Sequence, residues 1–108
     1  MNNELVIEDI QLGDGKAVVK GALITTHYNG YLEDGSKFDS SYDRGKAFQC
    51  VIGSGRVIKG WDIGMLGMKV GGRRQLICPP ALAYGPAGGG HRLSGRTLTF
   101  VIDLLGVK

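Results

Sequence analysis

The chain has 108 residues, 43% of them hydrophobic and 21% charged, which is enough apolar material for one core and too little length for two. Its 13 basic and 10 acidic residues leave a net charge of +3 with no basic block, which argues against nucleic-acid binding. Glycine is the outlier, with 19 residues beside 3 prolines and no three-residue period; collagen is excluded, and short strands joined by tight turns are expected.

No apolar run approaches the ~18–20 residues of a membrane span. Met1-Asn2-Asn3-Glu4 has no basic region and no apolar run behind it, so neither a signal peptide nor membrane association is expected. Cys50 and Cys78 cannot form a disulfide framework, and a reduced, cytoplasmic protein is the expectation.

In chain order, residues 5–12 mix β-branched and acidic positions and end at the turn signal Gly13-Asp14-Gly15. Residues 22–32 (ALITTHYNGYL), rich in Ile, Thr and Tyr, read as a strand. It stops at Glu33-Asp34-Gly35, whose Asp-Gly step predicts a hairpin returning through Lys37-Phe38-Asp39. Ser40-Ser41-Tyr42-Asp43-Arg44-Gly45 then reads as a break. Phe48, Cys50 and Ile52 alternate as a short strand closed by Gly53-Ser54-Gly55.

Residues 56–65 change period: Val57, Ile58, Trp61 and Met65 share one face at three- and four-residue spacing, which predicts a short helix. Such a helix does not persist alone in water, so a sheet must hold its apolar face. Val70-Gly71-Gly72 turns into a strand over residues 73–78 that ends at Pro79-Pro80. Residues 85–95 (GPAGGGHRLSG) form the one long loop, and long loops in compact domains tend to be functional. Leu98, Phe100, Ile102 and Leu104 alternate most cleanly of all. The expected architecture is α+β, one domain over residues 1–108 in which a small antiparallel sheet packs on one short helix.

Several chemistries fail on residue type. Gly55 and Gly60 have the spacing of a phosphate-binding loop, but Trp61 stands where that loop needs Lys. His27, His91, Cys50 and Cys78 are scattered without paired ligand spacing, so no metal and no cofactor are expected. His27 reads as a hydrogen-bonded core histidine, and Cys50, in register with Phe48 and Ile52, as a small buried hydrophobe. No local sequence activates either thiol as a nucleophile.

What remains is a set of aromatics at strand ends: Tyr28, Phe38, Phe48, Trp61, Tyr84 and Phe100. Core packing explains any one of them. The single Trp, flanked by Gly60 and Gly64 on a short helix, can instead floor a concavity, with the Tyr84 hydroxyl beside the long loop. An aromatic pocket with few polar tips suits an apolar ring.

The segment Tyr28-Asn29-Gly30-Tyr31-Leu32-Glu33-Asp34-Gly35-Ser36-Lys37-Phe38-Asp39-Ser40-Ser41 resembles the signature of the FKBP-type peptidyl-prolyl isomerases. So do Val57-Ile58-Lys59-Gly60-Trp61-Asp62, Met68-x-Val70-Gly71, Ala83-Tyr84-Gly85 and Thr97-Leu98-x-Phe100, in family order and spacing. The resemblance implies a five- to six-stranded antiparallel sheet curled around the short helix near Trp61. It implies cofactor-free cis–trans isomerisation of X–Pro bonds in proline-containing polypeptides, with FK506- and rapamycin-class macrolides as inhibitors in the same pocket.

Position by position, it implies catalytic roles for Tyr28, Phe38, Asp39, Trp61, Tyr84 and Phe100, and substrate-binding roles for Phe48, Val57, Ile58 and Leu93. Trp61 would carry the proline ring, Tyr84 would bond a substrate carbonyl, and Asp39, held by Tyr28 and Arg44, would orient rather than transfer a proton. The flap departs from the family: an Ile-Pro-Pro run becomes Leu93-Ser94-Gly95, in a loop one residue shorter. Leu93 matches the apolar lid residue. The leading reading is an enzyme that assists folding; a proline-directed binding module or holdase with incidental turnover is the alternative.

Overall fold

The computed structural model describes residues 4–108; Met1 to Asn3, on which the reading of the N-terminus partly rests, lie outside the described residues. Side-chain alternation builds the sheet. β2 (Leu23–Tyr31) buries Ile24, Thr26, Tyr28 and Gly30 on one face. β6 (Leu98–Val107) buries Leu98, Phe100, Ile102 and Leu104. β5 (Arg73–Cys78) turns Arg74, Leu76 and Cys78 inward. These three inner faces form one concave apolar surface, as a period of two requires.

With β1 (Val6–Gln11), β3 (Lys37–Ser40) and β4 (Phe48–Val51), the strands make a six-stranded antiparallel sheet. Its order is β1-β5-β6-β2-β3, and β4 also pairs with β2. β3 and β4 are two pieces of one interrupted edge: β3 pairs with residues Asn29 to Tyr31 of β2, and β4 with Leu23 to Thr26.

Between the two pieces the chain bulges out as α1 (Ser41–Arg44), where a break without structure is expected from sequence. The Ser40 side chain accepts from the Asp43 amide, and Gly45 closes the turn at φ 68°, so both ends are capped. The sheet still curls around one short helix, α2, as expected; the edge turn α1 and a 3₁₀ turn at Pro80–Leu82 are additions that the sequence reading leaves out.

α2 (Lys59–Gly64) lies in the concavity and is shorter than residues 56–65, because Ile58 is extended at ψ 151° and only its carbonyl enters the helix. Val57 and Ile58 therefore precede the helix rather than share its face. Asp62 accepts from the Gly53 and Gly55 amides at 2.8 and 3.1 Å and ties the preceding loop down onto the helix. Close approach to β5 depends on two glycines one helical turn apart. A Cβ on Gly60 would stand 2.4 Å from Cys78 Sγ, and one on Gly64 would stand 2.7 Å from Leu76 Cδ2.

The C-terminal end of α2 is held by buried Arg74, whose Nη1 donates to the Gly64 and Leu66 carbonyls at 2.8 and 3.0 Å. Asp9 of β1 neutralises the same guanidinium at 2.7 Å, so the cation is both paired and hydrogen-bonded, as burial demands.

Candidate functional site

Helix α2 presents Trp61 to the open end of the concavity. The indole is 3% exposed, and three rings stand nearly perpendicular to it: Tyr28 at 5.1 Å, Phe100 at 5.5 Å and Phe48 at 5.8 Å between centroids. Phe38 continues the wall edge-on to Phe100 at 5.7 Å. Each contact places a positive ring edge against a negative ring face, an arrangement worth ~0.5–1.5 kcal/mol beyond burial. The result is a rigid aromatic cup.

The cup encloses about 220 Å³, and Val57 and Ile58 of the loop before α2 line its far side. That is below the ~300–1,000 Å³ of a drug-sized pocket and suits a small ring with its adjoining amide. Nine of the ten residues expected at the site meet here: Tyr28, Phe38, Asp39, Phe48, Val57, Ile58, Trp61, Tyr84 and Phe100. Leu93 does not line the cup. It is 4% exposed and belongs to the hydrophobic core, so the expectation of an apolar lid residue meets a side chain already committed inward.

Two lining features carry no weight in the sequence reading. Arg56 reaches the rim from the loop before α2. Gly30 makes the wall possible, since a Cβ there would lie 2.8 Å from Phe38 Cζ and 3.2 Å from Phe100 Cε1. The available signal for Gly30 was a glycine inside a strand, which marks close approach.

The polar side of the cup is a closed triad. Tyr28 donates from its hydroxyl to Asp39 Oδ2 at 2.6 Å, Arg44 pairs with Asp39 Oδ1, and Arg44 Nη2 donates to the Tyr28 hydroxyl at 3.2 Å. Burial, reinforced by the Asp39 acceptor and opposed by Arg44, raises the Tyr28 pKa above 10.0, so the phenol stays neutral at ordinary pH. Arg44 is available because α1 projects it back towards the cup five residues after Asp39.

Tyr84 is different. Its ring stacks on His91 at 4.1 Å and 8°, it is 38% exposed, and among the described residues no protein group bonds its hydroxyl. The ring is located through the loop: Ser94 donates to the Tyr84 carbonyl at 3.1 Å and accepts from the His91 amide at 3.1 Å, while Leu93 donates its amide to His91 Nδ1 at 3.0 Å. Gly95, at φ 77°, donates to the Gly85 carbonyl at 2.7 Å. Hydrogen bonds from Ser94 and Gly95 thus close the loop where prolines are missing.

The remaining candidates lie elsewhere. His27 is hydrogen-bonded as expected, with Nδ1 2.8 Å from Ser41 Oγ, but it is not in the core. Tyr28 faces inward, so its neighbour faces outward, where His27 stacks on Tyr42 at 4.4 Å. Burial pushes the Cys50 thiol up to about 11 and Cys78 up to about 12, so neither is a thiolate near neutrality. Among the described residues no three His, Cys, Asp or Glu side chains gather as a metal-binding group, and no helix is long and apolar enough to cross a membrane.

An apolar cup with one neutralised carboxylate is fitted to a reaction of low charge. A planar X–Pro amide carries resonance charge on oxygen and nitrogen, and its rotation barrier is about 18–20 kcal/mol. Twisting removes that charge separation, so surroundings of aromatic faces favour the twisted amide relative to the planar one.

Comparison with known proteins agrees with this geometry. The family profile described as FKBP-type peptidyl-prolyl cis-trans isomerase matches residues 14–105. The chain belongs to that family. It is 51% identical over 104 residues to the FK506-binding protein of Neisseria meningitidis serogroup A, covering 95% of each chain. It is 50% identical over 104 residues to FK506-binding protein 1 of Saccharomyces cerevisiae, covering 94% of this chain and 91% of that protein. The crystal structure of AtFKBP13 superposes with a TM-score of 0.86 at 45% identity, covering 96% of this isomerase and 93% of that chain. The six-stranded sheet and short central helix expected of an FKBP-type isomerase are thus present.

Proposed function

We propose that the cup over Trp61 is the site at which this isomerase turns X–Pro bonds, with residues 1–108 acting as a single isomerase domain. One observation carries the reading: a nearly buried indole floor, three perpendicular aromatic walls and a free phenol at the rim occur in one cavity of proline size. The proline ring rests on Trp61 between Phe38, Phe48 and Phe100. Val57 and Ile58 close the far side, and the Tyr84 hydroxyl donates to a substrate carbonyl. Asp39, fixed by Tyr28 and Arg44, sets the local field and the position of the Tyr28 ring.

No proton need move, because rotation breaks no bond to hydrogen. Every ~1.4 kcal/mol by which the cup favours the twisted amide is tenfold in rate. Macrolides of the FK506 and rapamycin class present a proline-like ring, and we assign them to the same floor as competitive inhibitors. Proline-containing chains that are folding are the substrates we expect. A cytoplasmic setting is the one we expect, and Cys50 and Cys78 are free thiols there as in the structure.

The test is a protease-coupled or NMR exchange assay on a short Leu–Pro peptide with chelator-treated protein. Acceleration at sub-micromolar enzyme, abolished by FK506 together with a change in Trp61 fluorescence, is expected. Peptide binding without acceleration would instead make the cup a proline-directed binding site. A macrolide that alters neither fluorescence nor rate would remove Trp61 from the site.

A further inference from the structure

We infer that Tyr42, on the outer face of the sheet, is a positioning residue for the cup, acting through Arg44; the inference rests on the proposed cup. Arg44 completes the triad that holds Asp39 and Tyr28, yet it belongs to α1, a helix of four residues. So short a helix has no stability of its own, and its place must be set from outside. Its caps, Ser40 and Gly45, close the turn on itself without fixing it to the sheet.

The side chains of α1 supply the attachment. Ser41 is buried; its hydroxyl accepts from the Tyr28 amide at 2.7 Å and lies 2.8 Å from His27 Nδ1, which holds the first residue of the helix against β2. Asp43 reaches Lys37 of β3 at 2.7 Å, but both side chains are well exposed, and such pairs hold weakly. Tyr42 makes the wider span. Its ring stacks on His27 of β2 at 4.4 Å and 19°, and its hydroxyl donates to Asp103 of β6.

That footing is rigid. His27, Asp103 and Arg73 stand opposite one another in register on three adjacent strands, β2, β6 and β5. All three point away from the core, because their neighbours Tyr28, Ile102 and Arg74 are buried inward. Arg73 Nε donates to Asp103 Oδ1 at 2.8 Å, and Tyr42 bonds Oδ2 of the same carboxylate. Two residues along a helix differ by about 200°, so Arg44 leaves α1 on the side opposite to Tyr42. There its guanidinium meets Asp39 and the Tyr28 hydroxyl. One turn of helix thus connects a fixed point on the outer face to the polar side of the cup.

The experiment compares wild-type protein with Tyr42→Phe, Tyr42→Ala, Arg44→Gln and the double variant Tyr42→Ala/Arg44→Gln, at a temperature below the onset of unfolding of each. It reads kcat/KM on the Leu–Pro peptide and the NMR resonance of Tyr28 Cζ in isotope-labelled protein, which responds to hydrogen bonds at the phenol oxygen. Tyr42→Ala should lower kcat/KM by about two- to fivefold, the range of coupling within one hydrogen-bonded network. Tyr42→Phe, which keeps the ring on His27, should lower it less. The Tyr28 resonance should move in the direction in which Arg44→Gln moves it. In the Arg44→Gln background, Tyr42→Ala should change neither readout further.

A merely structural Tyr42 would lower the unfolding midpoint and leave both readouts in place, and that result overturns the inference. Equal kcat/KM in wild type and Tyr42→Ala overturns it whatever the resonance does. So does a loss that persists undiminished in the Arg44→Gln background. If Tyr42→Ala does not fold, Tyr42→Phe is judged on the same criteria. If no protein, wild type included, accelerates the peptide, the cup's catalytic role fails separately. The Tyr28 resonance then decides by itself whether Tyr42 acts through Arg44.

Discussion

Gly60 and Cys78 face each other so closely that a Cβ on the glycine would stand 2.4 Å from the buried Sγ. The residue beside Gly60 is Trp61, so the depth of the cup floor is set by this contact. Gly60→Ala should cost about 1–3 kcal/mol through overpacking and should also lower kcat/KM as the indole is lifted. Cys78→Ala should restore part of both losses, and a double-mutant cycle in urea unfolding and turnover measures the coupling. Additive effects would show that the helix does not rest on this contact.

In the proposed reaction the hydrogen-bonded Tyr28–Asp39–Arg44 triad orients without transferring protons. The pH–rate profile should accordingly be flat through neutrality, and Asp39→Asn should reduce kcat/KM by about three- to tenfold, equivalent to ~0.6–1.4 kcal/mol. A bell-shaped profile, or inactivity of the isosteric variant, would favour proton transfer instead.

At alkaline pH two phenols link stability to protons. Burial, with the Asp103 acceptor, pushes Tyr42 up to about 12, and burial, with Asp39, raises Tyr28. Their folded values exceed the value of 10.0 that we take for the unfolded chain, so their contribution is complete below pH 10 and is lost as pH rises through the folded values. Denaturation midpoints should fall across this window. Tyr42→Phe should make the fall shallower, and an unchanged slope would mean that Tyr42 titrates normally.

Leu93 and Ser94 are neighbours with separable tasks. Leu93→Ala removes a buried side chain and should cost about 2–5 kcal/mol of stability. Ser94→Ala removes two loop hydrogen bonds and should cost about 1–3 kcal/mol at most, with its main effect a higher KM as Tyr84 loses its anchor. Unfolding midpoints and steady-state kinetics of the two variants distinguish these outcomes; a KM effect from Leu93→Ala alone would return that residue to the lid.

The strands were legible because one face is buried: Leu98, Phe100, Ile102 and Leu104 announce β6, and Tyr28 fixes the parity of β2. The same parity placed His27 outside the core, a deduction that needed only its position next to Tyr28. α1 escaped because four residues show no periodicity, although Ser40 three residues before Asp43 is a capping signal. Leu93 was misplaced because one apolar residue in a glycine-rich loop does not say which of two apolar surfaces it joins. Its burial, and the stacking of His91 on Tyr84, are set by tertiary contacts that no local window contains.

The placement of β6 bears on how the protein comes into being. It is the last strand in chain order, yet it lies between β5 and β2, where it supplies Phe100 to the cup. During synthesis, β2 and β5 emerge with no partner between them, and their pairing waits for residues 98–107 to leave the ribosome. Contacts of such sequence separation form slowly and leave sheet edges exposed in the interval. A nascent chain of this topology has no complete aromatic cup until translation has passed β6.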